Sequence, residues 1–274
     1  MCSAYRRAAI CILMFAGSLA FASPPLLRVC ADSNNLPYSN DKREGFENKL
    51  AVMVAQDLGR QLQYVWWPHS PMRAHRYFRA GICDLVMELP AGDDLAQATR
   101  PYYRSSYVFV TRRDEHGPVH SFDDPYLKTA RIGLHVVVGD DAALLPPARE
   151  LLTRGIVRNV VGYSVFGDFS QPNPPAELVQ AVAKRNIDLA IAWGPLAGYF
   201  AQRSTVPLDV TPVCSQSSAL PLSFNMSMGV RRGDSTLLAQ LNSEIGRRHE
   251  EIRNLLQGYG VPLLDPVSES RSCQ

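Results

Sequence analysis

Apolar positions along this chain fall into short runs separated by polar breaks marked with Gly, Pro and Asn. The first run, Leu26–Ala31, reads as a buried strand. A polar loop with Asn34, Asn35 and Pro37 follows, and Gly45-Phe46-Glu47 opens a helix. Leu50, Val54 and Leu58 recur at i, i+4 and i+8, and Gly59 supplies a stop, so the helix runs from Phe46 to Leu58. Gln63–Trp67, closed by Pro68, is a second strand. A basic, aromatic helix comes next, with Arg73, Arg76 and Arg79 on one face: a solvated face on the plain reading, a docking stripe on the functional one. Ala80–Cys83 breaks it and Asp84–Glu88 forms a third strand. Strand, helix, strand, helix, strand with right-handed crossovers predicts a parallel sheet. In such a sheet binding is staged in the loops at the carboxyl ends of the strands.

The pattern then restarts. Thr99–Ser106 is rich in Arg and Tyr, and Tyr107–Thr111 is an apolar strand. Residues 112–125 are polar and broken by Gly and Pro, as a hinge requires. Strands are expected at Ala130–His135, Asn159–Tyr163 and Asp188–Trp193. Helices are expected at Ala142–Arg154, delayed or kinked by Pro146-Pro147, at Ala176–Lys184, and from Gly194-Pro195 through Tyr199. Leu208–Val213 is read as the return to the first lobe, which Met226–Val230 and one amphipathic helix, Ser235–Leu256, complete. The chain divides into residues 1–22, a first lobe of 23–112 with 214–274, and a second lobe of 113–213. That is an α/β fold of two parallel-sheet lobes joined by a hinge.

The N-terminus changes the meaning of the composition. Arg6-Arg7, the apolar run Ala8–Ala16 and Ala20-Phe21-Ala22 have the order of a secretory signal, with cleavage after Ala22. No other segment is long and apolar enough for a membrane span. The whole chain carries 28 Lys and Arg against 26 Asp and Glu; loss of Arg6 and Arg7 leaves 26 against 26, which removes the basic balance a nucleic-acid partner would need. Cys2 and Cys11 leave with the signal, and Cys30, Cys83, Cys214 and Cys273 remain for an oxidising compartment. Four cysteines allow three pairings. Cys30–Cys83 with Cys214–Cys273 would staple neighbouring regions of one lobe, although Cys30 near a strand end and Cys83 before its strand make an awkward offset.

Catalytic signatures do not assemble. The chain has no G-x-S-x-G, H-E-x-x-H, P-loop or G-x-G-x-x-G. The six His are scattered and read as exposed or capping groups, His135 at a strand end among them. The acidic doublets Asp93-Asp94, Asp123-Asp124 and Asp140-Asp141 suit helix caps and loops. Neither enzyme activity, a cofactor nor a metal is expected.

The layout "RVxxDxxxxPYS…GFExxLA" resembles the opening of periplasmic solute-binding proteins of the amino-acid-binding type, the type II arrangement. The anchors that resemblance implies are replaced here. Pro90–Asp94 stands where an Arg would clamp a ligand carboxylate. Val137–Asp141 stands where a Gly-Thr/Ser-Thr helix start would meet it, and Trp193-Gly194-Pro195 where an Asp would take the ammonium. The segments RVCADSNNLPYSN, GFENKLA, YVWWP, CDLVMELPAG, TRPYYRSSYVFVTR and AIAWGPLAGYFA together resemble the quinoprotein-dehydrogenase-associated binding-like proteins of the MoxJ/XoxJ type. The resemblance implies a periplasmic accessory of a pyrroloquinoline-quinone (PQQ) methanol dehydrogenase. Its large subunit is the expected partner, with its cytochrome c as a second candidate. Contact is expected through Asn34, Asn35, Tyr38, Trp66, Trp67, Arg100, Tyr102, Tyr103, Arg104, Trp193 and Tyr199, since aromatics and Arg dominate desolvated hot spots. The alternative is a transport receptor for a small molecule that is not a standard amino acid. A PQQ or lanthanide carrier would need a polar cage, to which only Asp93, Asp94, Asp140 and Asp141 could contribute.

Overall fold

The first strand, β1 (Leu26–Asp32), lies between two parallel neighbours. Leu26–Asp32 pairs in register with Gln61–Trp67 of β4 on one side, and Val29 and Cys30 pair with Leu85 and Val86 of β5 (Leu85–Pro90) on the other. A hairpin of β2 (Asn34–Asn35) and β3 (Ser39–Asn40) leads into helix α1 (Phe46–Asp57). The computed structural model describes residues 23–67, 77–78, 80–90, 96–136, 145–164, 173–213 and 220–265. The basic stripe Arg73, Arg76 and Arg79, the loops 91–95 and 137–144, Cys214 and Cys273 lie outside them.

Alternation of side chains along β1 and β5 divides the core of this lobe. Leu27, Val29, Leu85 and Met87 face a cluster with Phe46, Leu50 and Val54 of α1, while Cys30 and Val86 face Phe78, Cys83 and Ala96; Leu89, beyond the register shift opposite Ser227 and Gly229, joins the second group out of alternation. The start of α1 is fixed by close approach. A Cβ on Gly45 would lie 1.9 Å from the Tyr38 carbonyl oxygen, and Asn48 Oδ1 accepts from the Gly45 and Asn40 backbone N–H groups at 3.1 Å each. The predicted Cys30–Cys83 disulfide is present, with Cα atoms 5.6 Å apart. Cys83 precedes β5 in a turn around Gly81 (φ +66°), which sets it beside β1 despite the strand offset.

After the short strand β6 (Gln97–Ala98), β7 (Tyr103–Arg112) departs from the expectation of a strand confined to the first lobe. Its first half, Tyr103–Ser106, pairs antiparallel with Ser223–Met226 of β12 (Ser223–Val230), which also borders β5. Its second half, Tyr107–Arg112, pairs antiparallel with β10 (Leu189–Trp193) and with β11 (Leu208–Pro212). The change of sheet thus falls inside β7, ahead of the predicted hinge at 112–125. The second sheet continues through β8 (Ile132–Val136) to β9 (Val160–Ser164), both parallel. Leu208–Val213 does not return the chain to the first lobe: β11 bonds along β7 in the second sheet, and the return comes only with β12. The parallel strands of each lobe therefore carry antiparallel additions, because β7 and β12 run between the lobes.

Helices α2 (Pro146–Thr153), α3 (Ala176–Ala183) and α4 (Gly194–Gln202) flank the second sheet. Pro146 and Pro147 occupy the first helical positions, where a missing N–H costs nothing. Val108, Val110, Ala190 and Ala192 pack on Leu178, Val182 and Leu196; the alternate positions Phe109, Leu189 and Ile191 pack on Phe122, Leu127 and Leu151. The single C-terminal helix expected over Ser235–Leu256 is two, α5 (Ser235–Arg247) and α6 (His249–Gly258). Arg247 and Arg248 both reach Asp57 of α1, at 2.8 and 2.5 Å. Arg248 is the junction, the C-cap of α5 and the N-cap of α6.

Candidate functional site

The carboxyl ends of β1, β5, β8 and β10 converge on a cavity of about 510 Å³ between the lobes. From the first lobe come Asp32, Asn35, Tyr38, Glu47, Val86, Met87 and Glu88. From the second come His135, Leu145, Pro146, Trp193 and Leu196, while Tyr107, Phe224 and Met226 stand on the strands that join them. Its wall is mainly apolar and aromatic. Trp193 meets Tyr107 and Phe224 edge-to-face, with ring centroids 5.5 and 5.8 Å away.

Within this wall sits a carboxyl pair. Glu47, in the first turn of α1, hydrogen-bonds to Glu88 of β5, and Glu88 also accepts from the Tyr103 hydroxyl at 2.9 Å and from the Trp193 side chain. Burial, and then the Glu88 charge, push the Glu47 carboxyl well above the usual range. Burial also raises Glu88, and the hydrogen bonds from Tyr103, Glu47 and Trp193 restrain it to about 7. The two therefore share a proton at neutral pH. Facing the same cavity, His135 is lowered to about 3 by burial and is neutral. Its Nε2 is out of solvent contact and has no hydrogen-bond partner among the described residues. Glu88 and His135 are half-buried, and both line the cavity.

Of the predicted contact residues, three line the cavity: Asn35, Tyr38 and Trp193. Asn34 precedes Asn35 in the hairpin and accepts from the Asn173 N–H at 3.2 Å, linking the hairpin to the second lobe. Tyr103 is buried and Tyr102 half-buried: Tyr102 donates to the Met87 carbonyl at 2.8 Å and Tyr103 to Glu88. Arg104 is half-buried and donates to Ser223 Oγ at 2.8 Å across the β7–β12 pair. Tyr199 is buried, stacked on Tyr259 at 5.7 Å with the Arg203 guanidinium 3.6 Å over its ring. Arg100 is exposed, its N–H bonded to Asn242. Trp66 is 37% exposed and stacks on Tyr64 at 4.8 Å on the outer strand β4 (Gln61–Trp67). Trp67 continues that strand, and its side chain lies outside the description. His135 corrects the expectation of an exposed or capping group, because the apolar strand it ends enters the interlobe wall.

Asp32, Glu47, Glu88 and His135 were not picked out by sequence reasoning. Their signal was a charged or titratable residue at the end of an apolar strand or in the first turn of a buried helix. The Trp193–Phe200 motif has a packing explanation as well. A Cβ on Gly194 would meet the Ser106 carbonyl oxygen at 2.6 Å, and one on Gly198 the Gly260 carbonyl oxygen at 1.9 Å. These glycines let α4 sit against the strand and tail that join the lobes. Among the described residues, no Arg or Lys lines the cavity and no group of three or more His, Cys, Asp and Glu is set to hold a metal ion.

Two α/β lobes with a cleft at their strand ends define a type II periplasmic binding protein. Solved structures share this fold. The periplasmic binding protein XoxJ from Methylobacterium extorquens AM1 superposes with a TM-score of 0.71 at 35% identity, covering 88% of this chain and 100% of that one. MxaJ from Methlophaga aminisulfidivorans MPT gives 0.74 at 26% identity, covering 87% and 100%. No family model matches the chain. "Protein MoxJ" of Methylorubrum extorquens is 32% identical over 252 residues, 88% of this chain and 82% of that protein. "Protein MoxJ" of Paracoccus denitrificans is 30% identical over 271 residues, 91% and 95%. The chain belongs to the MoxJ family.

Proposed function

We infer that this chain is a non-enzymatic periplasmic accessory that binds a PQQ-dependent methanol dehydrogenase and assists its maturation. The carrying observation is likeness to two MoxJ proteins over 82% and 95% of their length, and methanol oxidation is the process that name denotes. The cavity supports the reading by what it lacks: no guanidinium among its described lining residues could clamp an amino-acid carboxylate, and the Glu47–Glu88 pair repels one. Residues 1–22 export the chain, and among the described residues no helix is long and apolar enough to cross a membrane. The lobes divide within β7 near Ser106. Partner contact falls on exposed aromatic and Arg groups, Trp66 with its Tyr64 stack and Arg100 foremost.

The cavity itself favours a second reading, a transport receptor for a small molecule other than a standard amino acid. Deleting the gene and assaying the dehydrogenase in periplasmic extract separates the two. The accessory reading predicts less active dehydrogenase at unchanged transport of small molecules. Full dehydrogenase activity, with loss of growth on one imported compound, would favour the receptor. Dehydrogenase and cytochrome genes beside this one, rather than a permease and ATPase, would agree with the first.

A further inference from the structure

We propose that the interlobe cavity is a binding site for a small organic cation, a primary ammonium carried on a compact apolar or aromatic body. This goes beyond the partner reading, since it concerns the cavity and not the outer surface. Glu47 and Glu88, hydrogen-bonded to one another, place two carboxyls in a wall of Tyr38, Tyr107, Trp193 and Phe224. Asp32 adds a third acid to the same lining, and among the described residues no Lys or Arg there offsets them. A cation is the ligand charge that this arrangement complements. Aromatic faces attract ammonium groups by their negative quadrupole, most strongly where water is excluded.

The second lobe supplies an independent indication. His135 also lines the cavity; it is neutral, and its Nε2, out of solvent contact, has no hydrogen-bond partner among the described residues. A buried polar atom left unpaired costs free energy that a ligand hydrogen bond would recover. An ammonium has three donors and no acceptor, so it matches the carboxylate oxygens of the first lobe. The remaining wall, with Val86, Met87, Leu196 and Met226, is suited to hydrocarbon. The cavity's size falls in the range of small-molecule sites.

Proton balance gives a signature that mere hydrophobic binding would not. The carboxyl pair holds a proton that an incoming ammonium displaces to solvent. The titratable groups around the pair are Asp32 from β1, Tyr38 from the β2–β3 hairpin, Tyr102 just before β7 and Tyr103 in it, with Tyr107 of β7 and His135 of β8 in the same lining. Affinity for the cation should therefore rise from about pH 6 to about pH 8, with proton uptake by the buffer.

The test is calorimetric titration of residues 23–274 with 2-phenylethylammonium, with 2-phenylethanol as the uncharged counterpart. The proposal predicts that the ammonium binds at least about tenfold tighter than the alcohol at pH 8. Glu88→Gln, and separately Glu47→Gln, should each lose about tenfold for the ammonium and leave the alcohol unchanged. Each variant's thermal transition verifies its fold. Equal affinity of alcohol and ammonium would overturn the proposal, as would undiminished ammonium binding by both Gln variants or no saturable heat with the ammonium. Failure here leaves the dehydrogenase reading intact, because that reading is tested with the protein partner.

Discussion

Replacing Glu88 with Gln should make the protein more stable at neutral and alkaline pH while leaving it nearly unchanged at pH 5. Glu88 is enclosed beside Glu47, and its carboxyl titrates at about 7 instead of 4.5. The folded state holds this proton more tightly than the unfolded chain. The residue therefore costs little below the unfolded value, and its cost grows as pH rises toward 7 and is complete above it. At ~1.4 kcal/mol per tenfold change in proton affinity, the shift corresponds to up to about 3 kcal/mol. For a domain of this size that is roughly 6 to 12 °C in Tm. Gln keeps an acceptor for Tyr103 and a partner for Glu47 without the charge. Because His135 contributes a pH dependence of opposite sign, the reading is the difference between variant and parent. Urea unfolding followed by circular dichroism from pH 5 to pH 8 supplies it. Parallel stability profiles for the two proteins, or a variant weaker than the parent at pH 8, would refute the account of a buried, proton-sharing pair.

Other consequences follow from particular contacts. His135 is lowered to about 3, so its stabilising term is whole above its unfolded value of 6.5 and is lost as pH falls; His135→Asn should flatten the acid limb in the same urea series. Gly198→Ala sets a Cβ 1.9 Å from the Gly260 carbonyl oxygen and should cost roughly 1–3 kcal/mol, whereas Gly258→Ala, with open space around it, should cost nothing measurable in thermal melts. Cys30→Ser with Cys83→Ser opens a link spanning 53 residues and should lower stability by up to about 4 kcal/mol in non-reducing urea titrations.

Much of the fold was legible because strand and helix periods are local. Leu26–Ala31, the 50/54/58 spacing of α1 and Asp188–Trp193 all lie where their patterns put them. What eluded the sequence was long-range. Tyr103–Ser106 reads as a polar lead-in to a strand, since its partners, Ser223–Met226, lie over a hundred residues away. Leu208–Pro212 has the same apolar run whichever lobe receives it. The break at Arg248 falls inside one amphipathic pattern, at residues that pair with Asp57 of another helix. At the site, Asn35, Tyr38 and Trp193 were found through motif residues, while Glu47 and Glu88 were read only as parts of a helix start and a strand. Only the meeting of α1 with β5 makes them a pair. Tyr102, Tyr103 and Tyr199 were drawn from the same motifs, and the structure pairs them with Met87, Glu88 and Tyr259.

Binding between purified residues 23–274 and a purified PQQ-dependent methanol dehydrogenase, measured by biolayer interferometry, tests the central claim most directly. Trp66→Ala and Arg100→Ala are run beside it. A saturable association, weakened by about tenfold or more in at least one variant, is the predicted result. No association with the dehydrogenase in either its mature or its cofactor-free form would contradict it.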